Sequence, residues 1–558
     1  MKWIKYTVVS LSIVSIALFI ALRSIVLAPP PVDKGDILNQ PVKQITDSLM
    51  MCQDDWLKTN DGGISELYIS GKPFEMGVKN GKLTQKLAGE QEKYFFEFIK
   101  TIIPSKATIK YLKYFISYFN KDLDEYIPLS LRKEIYGVSL FASDEFDFVG
   151  DKYHRILNYH AAHDIGHTIQ NMNLVNCTAF SVQDERTKDG SLIIGRNLDF
   201  SAGNNFARNK LVVFCNPDSG FKFAYVSWGG MIGVLSGMNE HGLTVTLNSA
   251  KSGVPLSAKT PVSLISREVL QRATNISEAY AIIKKYDSFV SESFFIASAI
   301  DNKAVVIEKS LDKVAIYDAN DTKLVLTNHF QSQQLKDSEL NIEGINEGCS
   351  LYRMQRTNEL IDSIKVFDVN HVVDVLRNKQ GLNNKSIGLG NEAAINQLIC
   401  HHSVVFKPHQ RLMWVSKFPY QENDFVAYDL NKVFSESFNV KEESVSVDSL
   451  RVNSSVFYKS GRWEAFEFHK EKLASIKEKL NNSEQVNLDD ASIDTLLNEN
   501  PDYYYTYYIL GQYFESNSEY NKALSFYNKS LDCKIPRLVD QQQVLNRIEK
   551  LKSENEVK

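Results

Sequence analysis

The sequence predicts an α+β fold in which sheets are covered by helices, and three observations carry that expectation. Short apolar or alternating runs gather at 175–200, 210–228, 236–248, 294–317 and 397–430, which is strand behaviour. Between them, apolar residues recur at helical spacing, as with Ile265, Val269, Leu270, Ala273, Ala279 and Ile282 within 262–285. At 558 residues the chain is long enough for two or three domains with proper cores, so strand groups interleaved with helix pairs can bury both faces of a sheet. A composition of 43% hydrophobic and 23% charged residues, with net charge −5, leaves no basic footprint and excludes nucleic acid as an expected partner.

The chain opens with Lys2 and Lys5, runs apolar from Tyr6 to Leu22, and closes that segment at Pro29-Pro30-Pro31. A basic start and an apolar body describe a signal peptide or an uncleaved anchor, and 6–28 can span a bilayer. The expectation is a transmembrane anchor or signal segment over 1–28, with the basic end inside and the remainder periplasmic or extracellular, or secreted if the segment is cleaved. A linker is expected over 29–64 and a largely helical segment over 65–176, opened by a strand at Leu67–Ile69 and a helix through Leu83, Leu87, Phe95 and Phe98. His160, His163 and His167 fall at i, i+3 and i+7, so one helical face could hold a metal. No fourth ligand accompanies them, and packing or pocket lining is the expectation, with no metal and no cofactor. Six scattered cysteines (52, 177, 215, 349, 400, 533) form neither a CxxC pair nor a disulfide framework.

The hairpin at 175–200 is the chemically distinctive stretch. Val175-Asn176-Cys177-Thr178-Ala179-Phe180 leads through the turn Lys188-Asp189-Gly190 to a second strand ending Gly195-Arg196-Asn197-Leu198-Asp199. That places a thiol, a guanidinium and a carboxylate in one neighbourhood, and a cation beside a thiol favours the thiolate. A free cysteine is also commonly just a small buried hydrophobe. Beyond 445 the character changes to a charged amphipathic helix at 462–480. It is followed by Tyr507-x-x-Leu510-Gly511-x-x-Phe514, Ala523, Tyr527 and Pro536, at tetratricopeptide spacing. A helical tetratricopeptide-like region over 445–558, packed on its neighbours and able to dock a protein partner, is expected.

Four windows in order then share one pattern: Cys177-Thr178 with Gly195–Asp199; Met238-Asn239-Glu240-x-Gly242-Leu243 leading to Asn248; Leu326-Thr327-Asn328-His329; and Ser350-x-x-Arg353-x-x-Arg356. Over roughly 65–430 the chain resembles the isopenicillin-N acyltransferase-like group, relatives of the choloylglycine hydrolases and members of the N-terminal-nucleophile hydrolases. The resemblance implies a four-layer αββα sandwich, here over 177–440, and a precursor that cleaves itself before Cys177. It implies Cys177 as nucleophile with its own α-amino group as base, Asp199 binding that amine, and Arg196 against the sulfur. Asn248 would be the oxyanion donor, Asn328 would bond near the amine or substrate, and Arg356 (with Arg353 as the lesser candidate) would brace the site. It implies hydrolysis or acyl transfer at a linear, non-peptide C–N amide of a small N-acyl compound. Asn176 departs from the small residue that relatives commonly carry before the cysteine.

Two other readings stand beside this one: a catalytically silent fold binding an acyl or peptide ligand, and an ordinary cysteine thioesterase or peptidase using His329 or His241 as base.

Overall fold

A computed structural model describes residues 27–556 apart from 60–62, 104, 106–113, 115, 162–163, 165–174, 201, 254–256 and 289. The expected anchor over 1–28 therefore lies almost wholly outside the described residues, as do His163 and His167. Among the described residues no helix is long and apolar enough to cross a membrane.

Strands β1 (Lys43–Thr46), β2 (Leu49–Cys52), β3 (Asp55–Thr59) and β4 (Ser65–Gly71) precede helices α1 (Pro73–Ile102), α2 (Leu129–Ser139) and α3 (Lys152–His160). The 29–64 linker expectation is thus corrected: Leu49, Cys52, Trp56 and Leu57 are buried in a meander that extends the larger sheet. Strands this short carry too few alternations to stand out in sequence. Then come β5 (Val175–Asp184), β6 (Gly190–Phe200), β7 (Leu211–Pro217), β8 (Phe223–Ser227), β9 (Ser236–Asn239) and β10 (Leu243–Ser249). Helices α4 (Val262–Arg272) and α5 (Ile276–Lys285) follow, and then β11 (Glu292–Ser298), β12 (Lys303–Lys309), β13 (Val314–Tyr317) and β14 (Lys323–Leu326). Helices α6 (Glu339–Glu347), α7 (Ser350–Ser363) and α8 (Val369–Leu376) lead to β15 (Cys400–Lys407), β16 (Leu412–Ser416) and β17 (Phe425–Asp429).

The strands form two sheets. Eleven run in the order β1-β2-β3-β4-β7-β8-β9-β10-β11-β12-β13, and six in the order β14-β5-β6-β15-β16-β17. Among the described residues every pairing between these strands is antiparallel except β4 with β7, which run parallel from Ser65↔Leu211 to Gly71↔Pro217. Alternation along the strands sorts the side chains into three cores. Phe295, Ala297 and Val306 of the large sheet meet Leu192, Ile194, Val404 and Phe406 of the small sheet between the two. On the outer face of the large sheet, Phe294, Ile296 and Val245 pack on α4 and α5 through Leu264, Ile265, Val269 and Ile283. On the outer face of the small sheet, Phe180, Val405 and Trp414 pack on α7 and α8 through Ile361, Val372 and Leu376. Helix, sheet, sheet, helix is the four-layer order that the sequence resemblance implies.

The C-terminal region consists of α9 (Arg462–Asn481), α10 (Asp490–Glu499), α11 (Tyr504–Ser516), α12 (Tyr520–Asp532) and α13 (Leu538–Glu556). Its core joins Leu473, Leu496, Leu510, Phe514, Tyr527 and Val544. The tetratricopeptide-spaced residues Tyr507 to Tyr527 fall on the α11–α12 hairpin, where Gly511 lets the Tyr527 ring approach, and Pro536 lies between α12 and α13.

Candidate active site

The β5–β6 register sets the site. Asn176 pairs with Asp199, Cys177 with Leu198 and Ala179 with Arg196. Cross-strand partners share a face and neighbours alternate, so the thiol and Arg196 point between the sheets while Asp199 points toward α7. The Arg-x-x-Asp spacing therefore delivers one charge to each side of the Cys177 backbone. Asn176 and Cys177 are neighbours within β5, and Cys177 is 1% exposed.

Each polar atom of Cys177 is held. Its N–H donates to Asn328 Oδ1 at 2.9 Å. Arg353 Nη1 donates to its carbonyl at 2.6 Å and to Thr178 Oγ1 at 3.0 Å. Arg196 Nη2 donates to Sγ at 3.4 Å. Asn328 reaches this place because β14 pairs with β5 at Leu326↔Ala179, which sets position 328 level with 177. Its amide donates in turn to Ser249 O and Oγ, both at 3.0 Å. Arg353 Nη2 also donates to Asn328 Oδ1 (2.7 Å) and to Asn176 Oδ1 (3.3 Å), so the residue before the cysteine is gripped as well.

Besides the sulfur, Arg196 bonds the neutral groups Ser236 Oγ (2.8 Å), His402 Nε2 (3.0 Å) and Leu247 O (2.6 Å). Burial, with Arg196 next in order, holds the His402 ring well below the usual imidazole range, so His402 accepts as a neutral ring. The guanidinium charge acts on the sulfur and on the buried carboxyls Asp199 and Glu292. Burial still pushes the thiol up to about 11 against the pull of Arg196, with Glu292 and Asp199 raising it further and Arg353 lowering it. At neutral pH the sulfur is therefore a thiol. Asp199 is fully buried, neither carboxyl oxygen has a hydrogen-bond partner among the described residues, and burial raises it to about 7 against Arg353 and Arg196.

The structure places the remaining sequence candidates as follows. Asn248, on β10 opposite Ser293, donates to Thr327 O (3.0 Å) and Leu326 O (3.4 Å), tying the two sheets beside the cysteine. The Asn239–Gly242 motif is a turn builder. Asn239 Oδ1 accepts from His241 N and Leu243 N at 3.1 and 3.0 Å, and Gly242 takes φ +74°. Arg356 is corrected: its guanidinium bonds Asn378 (3.2 Å), Glu359 (2.9 Å) and Asn384 (2.7 Å). One turn farther along α7, it has passed the cysteine and braces the 378–384 stretch, and Arg353 takes the place expected of it. His329 Nδ1 meets Thr327 Oγ1 (3.2 Å) and Ser350 Oγ (3.0 Å), and His241 lies against Phe221 with ring centroids 4.4 Å apart. Neither offers the Cys–His pair of an ordinary thiol peptidase. His160 is a packing residue, bonded to Ile156 O at 2.8 Å and accepting from Ile232 N at 3.0 Å. His402 and Ser236 were missed in the sequence. A His in the Cys400–Lys407 strand run was the available signal.

A cavity of about 780 Å³ reaches this point, with Asn176, Leu198, Asn328 and Arg353 in its wall. One arm is apolar, built by Phe95 and Ile99 of α1 with Phe206 and Trp228. The other is more polar and includes Lys251, Glu347 and Ser350.

Residues 185–416 match the family model described as acyl-coenzyme A:6-aminopenicillanic acid acyl-transferase. The resemblance read from the motifs therefore holds over this stretch, which begins just after Cys177 and contains Arg196, Asp199, Asn248, Asn328 and Arg353. A protein of Archaeoglobus fulgidus is 24% identical over 269 residues, covering 45% of this chain and 44% of that protein. The N-acylethanolamine-hydrolyzing acid amidase of Caenorhabditis elegans is 26% identical over 302 residues, covering 50% of this chain and 76% of its own. A solved variant of the conjugated bile acid hydrolase of Clostridium perfringens aligns with TM-score 0.32 at 16% identity, over 46% of this chain and 93% of that one. The chain spans about half the length of the first curated relatives it matches, at 44, 54 and 60% of each.

Proposed function

We propose that this chain is an autoproteolytic N-terminal-cysteine hydrolase or acyltransferase that acts on the C–N amide bond of a small N-acyl substrate. The observation that carries the reading is the convergence of Asn328, Arg353 and Arg196 on the N–H, the carbonyl and the sulfur of one buried cysteine. A cysteine kept only for packing needs no such set. Family resemblance over 185–416 supports the same class.

In self-cleavage, Sγ attacks the Asn176 carbonyl carbon, a C–S bond forms, the Asn176–Cys177 C–N bond breaks, and the departing nitrogen takes a proton to become an amine. Water then hydrolyses the thioester, releasing the Asn176 carboxylate and restoring the thiol. The proton the thiol gives up is the one the departing nitrogen takes, and Asp199, buried and without a hydrogen-bond partner among the described residues, then holds the new ammonium as its carboxylate. In turnover the α-amine takes the thiol proton, the thiolate attacks the substrate carbonyl to form a C–S bond, the C–N bond breaks as the protonated amine returns a proton to the leaving nitrogen, and water or an acceptor nucleophile then takes the acyl group from sulfur and restores the thiol. Asn248 is the proposed oxyanion donor, its amide freed from Thr327 O and Leu326 O as the cleaved strand relaxes. The apolar arm of the cavity suits the acyl group. Residues 177–440 form the proposed catalytic part, and 445–558 a helical region appended to it.

The test is hydrolysis of a panel of N-acyl amides by purified protein. Cys177→Ala should abolish turnover, and Asn248→Ala should lower kcat about 10²–10³-fold with little change in KM. A folded Cys177→Ala protein that keeps wild-type turnover places the nucleophile elsewhere. A folded wild type that binds acyl ligands and hydrolyses none is a silent binder.

A further inference from the structure

The more polar arm of the cavity is completed by a part of the chain that lies beyond the family match, which ends at 416. Arg537, Leu538, Val539 and Gln542, at the start of α13, line it together with the end of α6 and the beginning of α7. This turn is held in place by direct contacts to the catalytic layers. Arg537 Nε lies 2.6 Å from Asp540 and 3.6 Å from Glu392. Asn391 donates to Lys534 O at 2.8 Å, and the Lys534 ammonium sits 4.4 Å from the Tyr352 ring centre. Asn500 exchanges two bonds with the Leu389 backbone (2.8 and 2.9 Å), beside a Gly388 whose missing side chain leaves room for Tyr503. The same 387–392 stretch accepts Cys349 Sγ at Glu392 O (3.0 Å), and Cys349 caps the helix that carries Arg353. Contacts therefore run from the start of α13 through 387–392 and Cys349 to the helix that carries Arg353.

Leu538 and Val539 are nonetheless 52% and 54% exposed at the cavity rim. Placed in the cavity lining, these two side chains offer apolar surface to a bound ligand. With the α1 arm apolar, the half of an N-acyl amide that suits the arm beside Lys251, Glu347 and α13 is its polar amine half.

We propose that Leu538, Val539 and Gln542 are specificity-determining residues for the amine half of the substrate, so that the C-terminal helices form part of the substrate site. This rests on the amidase reading above. The experiment measures kcat and KM for two substrate series on the full chain, one varying the amine at fixed acyl group and one varying the acyl group at fixed amine. Val539→Arg and Gln542→Ala, both at exposed positions, are compared with wild type, and self-cleavage at Cys177 and thermal unfolding report on the fold. The expected result is a KM change of about tenfold that differs from one amine to the next, with the acyl-chain preference unmoved. Variants that keep the wild-type order of amines, or that shift the acyl order instead, overturn the inference while the amidase reading stands. A wild type that turns over neither series overturns that reading and the inference with it.

Discussion

Asp199 is a carboxyl whose proton the fold holds to well above the usual carboxylate range, because burial outweighs Arg353 and Arg196. Its value in the fold, about 7, lies above its ordinary 3.8, so the fold grips the proton more tightly than the unfolded chain does. That contribution is fully present below about pH 3.8 and is lost as pH climbs through about 7. In the uncleavable Cys177→Ala chain, urea unfolding should show stability falling across this window by up to about 4 kcal/mol relative to Asp199→Asn. In the cleaved wild type, an ammonium beside Asp199 keeps it ionised and flattens the difference. Equal slopes in the two cleavage states would rule out the amine–Asp199 pair. Arg353 gives a second outcome at this scale. Arg353→Met should block self-cleavage, while Arg356→Met should cleave normally and lose about 1–3 kcal/mol from broken bonds to Asn378 and Asn384. Denaturing gels and melting curves distinguish them. Cys177, Arg196, Asp199 and Asn328 were legible because a short motif fixes each on a strand or just past one. Arg353 and Arg356 share a helix with like spacing, and only the placement of α7 separates them.

The β5–β6 hairpin does most of the positioning, and it was also the easiest element to read, bounded by a Lys-Asp-Gly turn. Its contact with α8 is tight at Gly195, where an added Cβ would lie 2.6 Å from Val372 Cγ1 and 3.2 Å from Leu376 Cδ1. Gly195→Val should push α8 off the sheet, cost about 1–3 kcal/mol, and slow self-cleavage by shifting Arg196 next door. Normal stability with normal cleavage would contradict this packing account. The 262–285 periodicity hid a break, since Asn275 caps α5 by accepting from Glu278 N at 3.0 Å. The Asn-x-x-Glu signature was there to be read, but continuous apolar spacing masks a cap of this kind.

At the scale of the molecule, the segment before the cysteine is woven into the fold. Strands β1 to β4 extend the eleven-stranded sheet, and β4 runs parallel to β7 across seven residue pairs, from Ser65 to Gly71. The strands inside 29–64 are only 4 or 5 residues long, too short for their alternation to stand out from a linker in the sequence. Cleavage before Cys177 would therefore leave two chains sharing one sheet, inseparable without denaturant.

The measurement that bears most directly on the central claim is mass spectrometry with N-terminal sequencing of denatured, catalytically active protein. The account predicts two polypeptides, one of them 382 residues long beginning at Cys177 (558 − 176), and a single uncut chain for Cys177→Ala. Full amidase activity from protein whose Asn176–Cys177 bond is intact would contradict it.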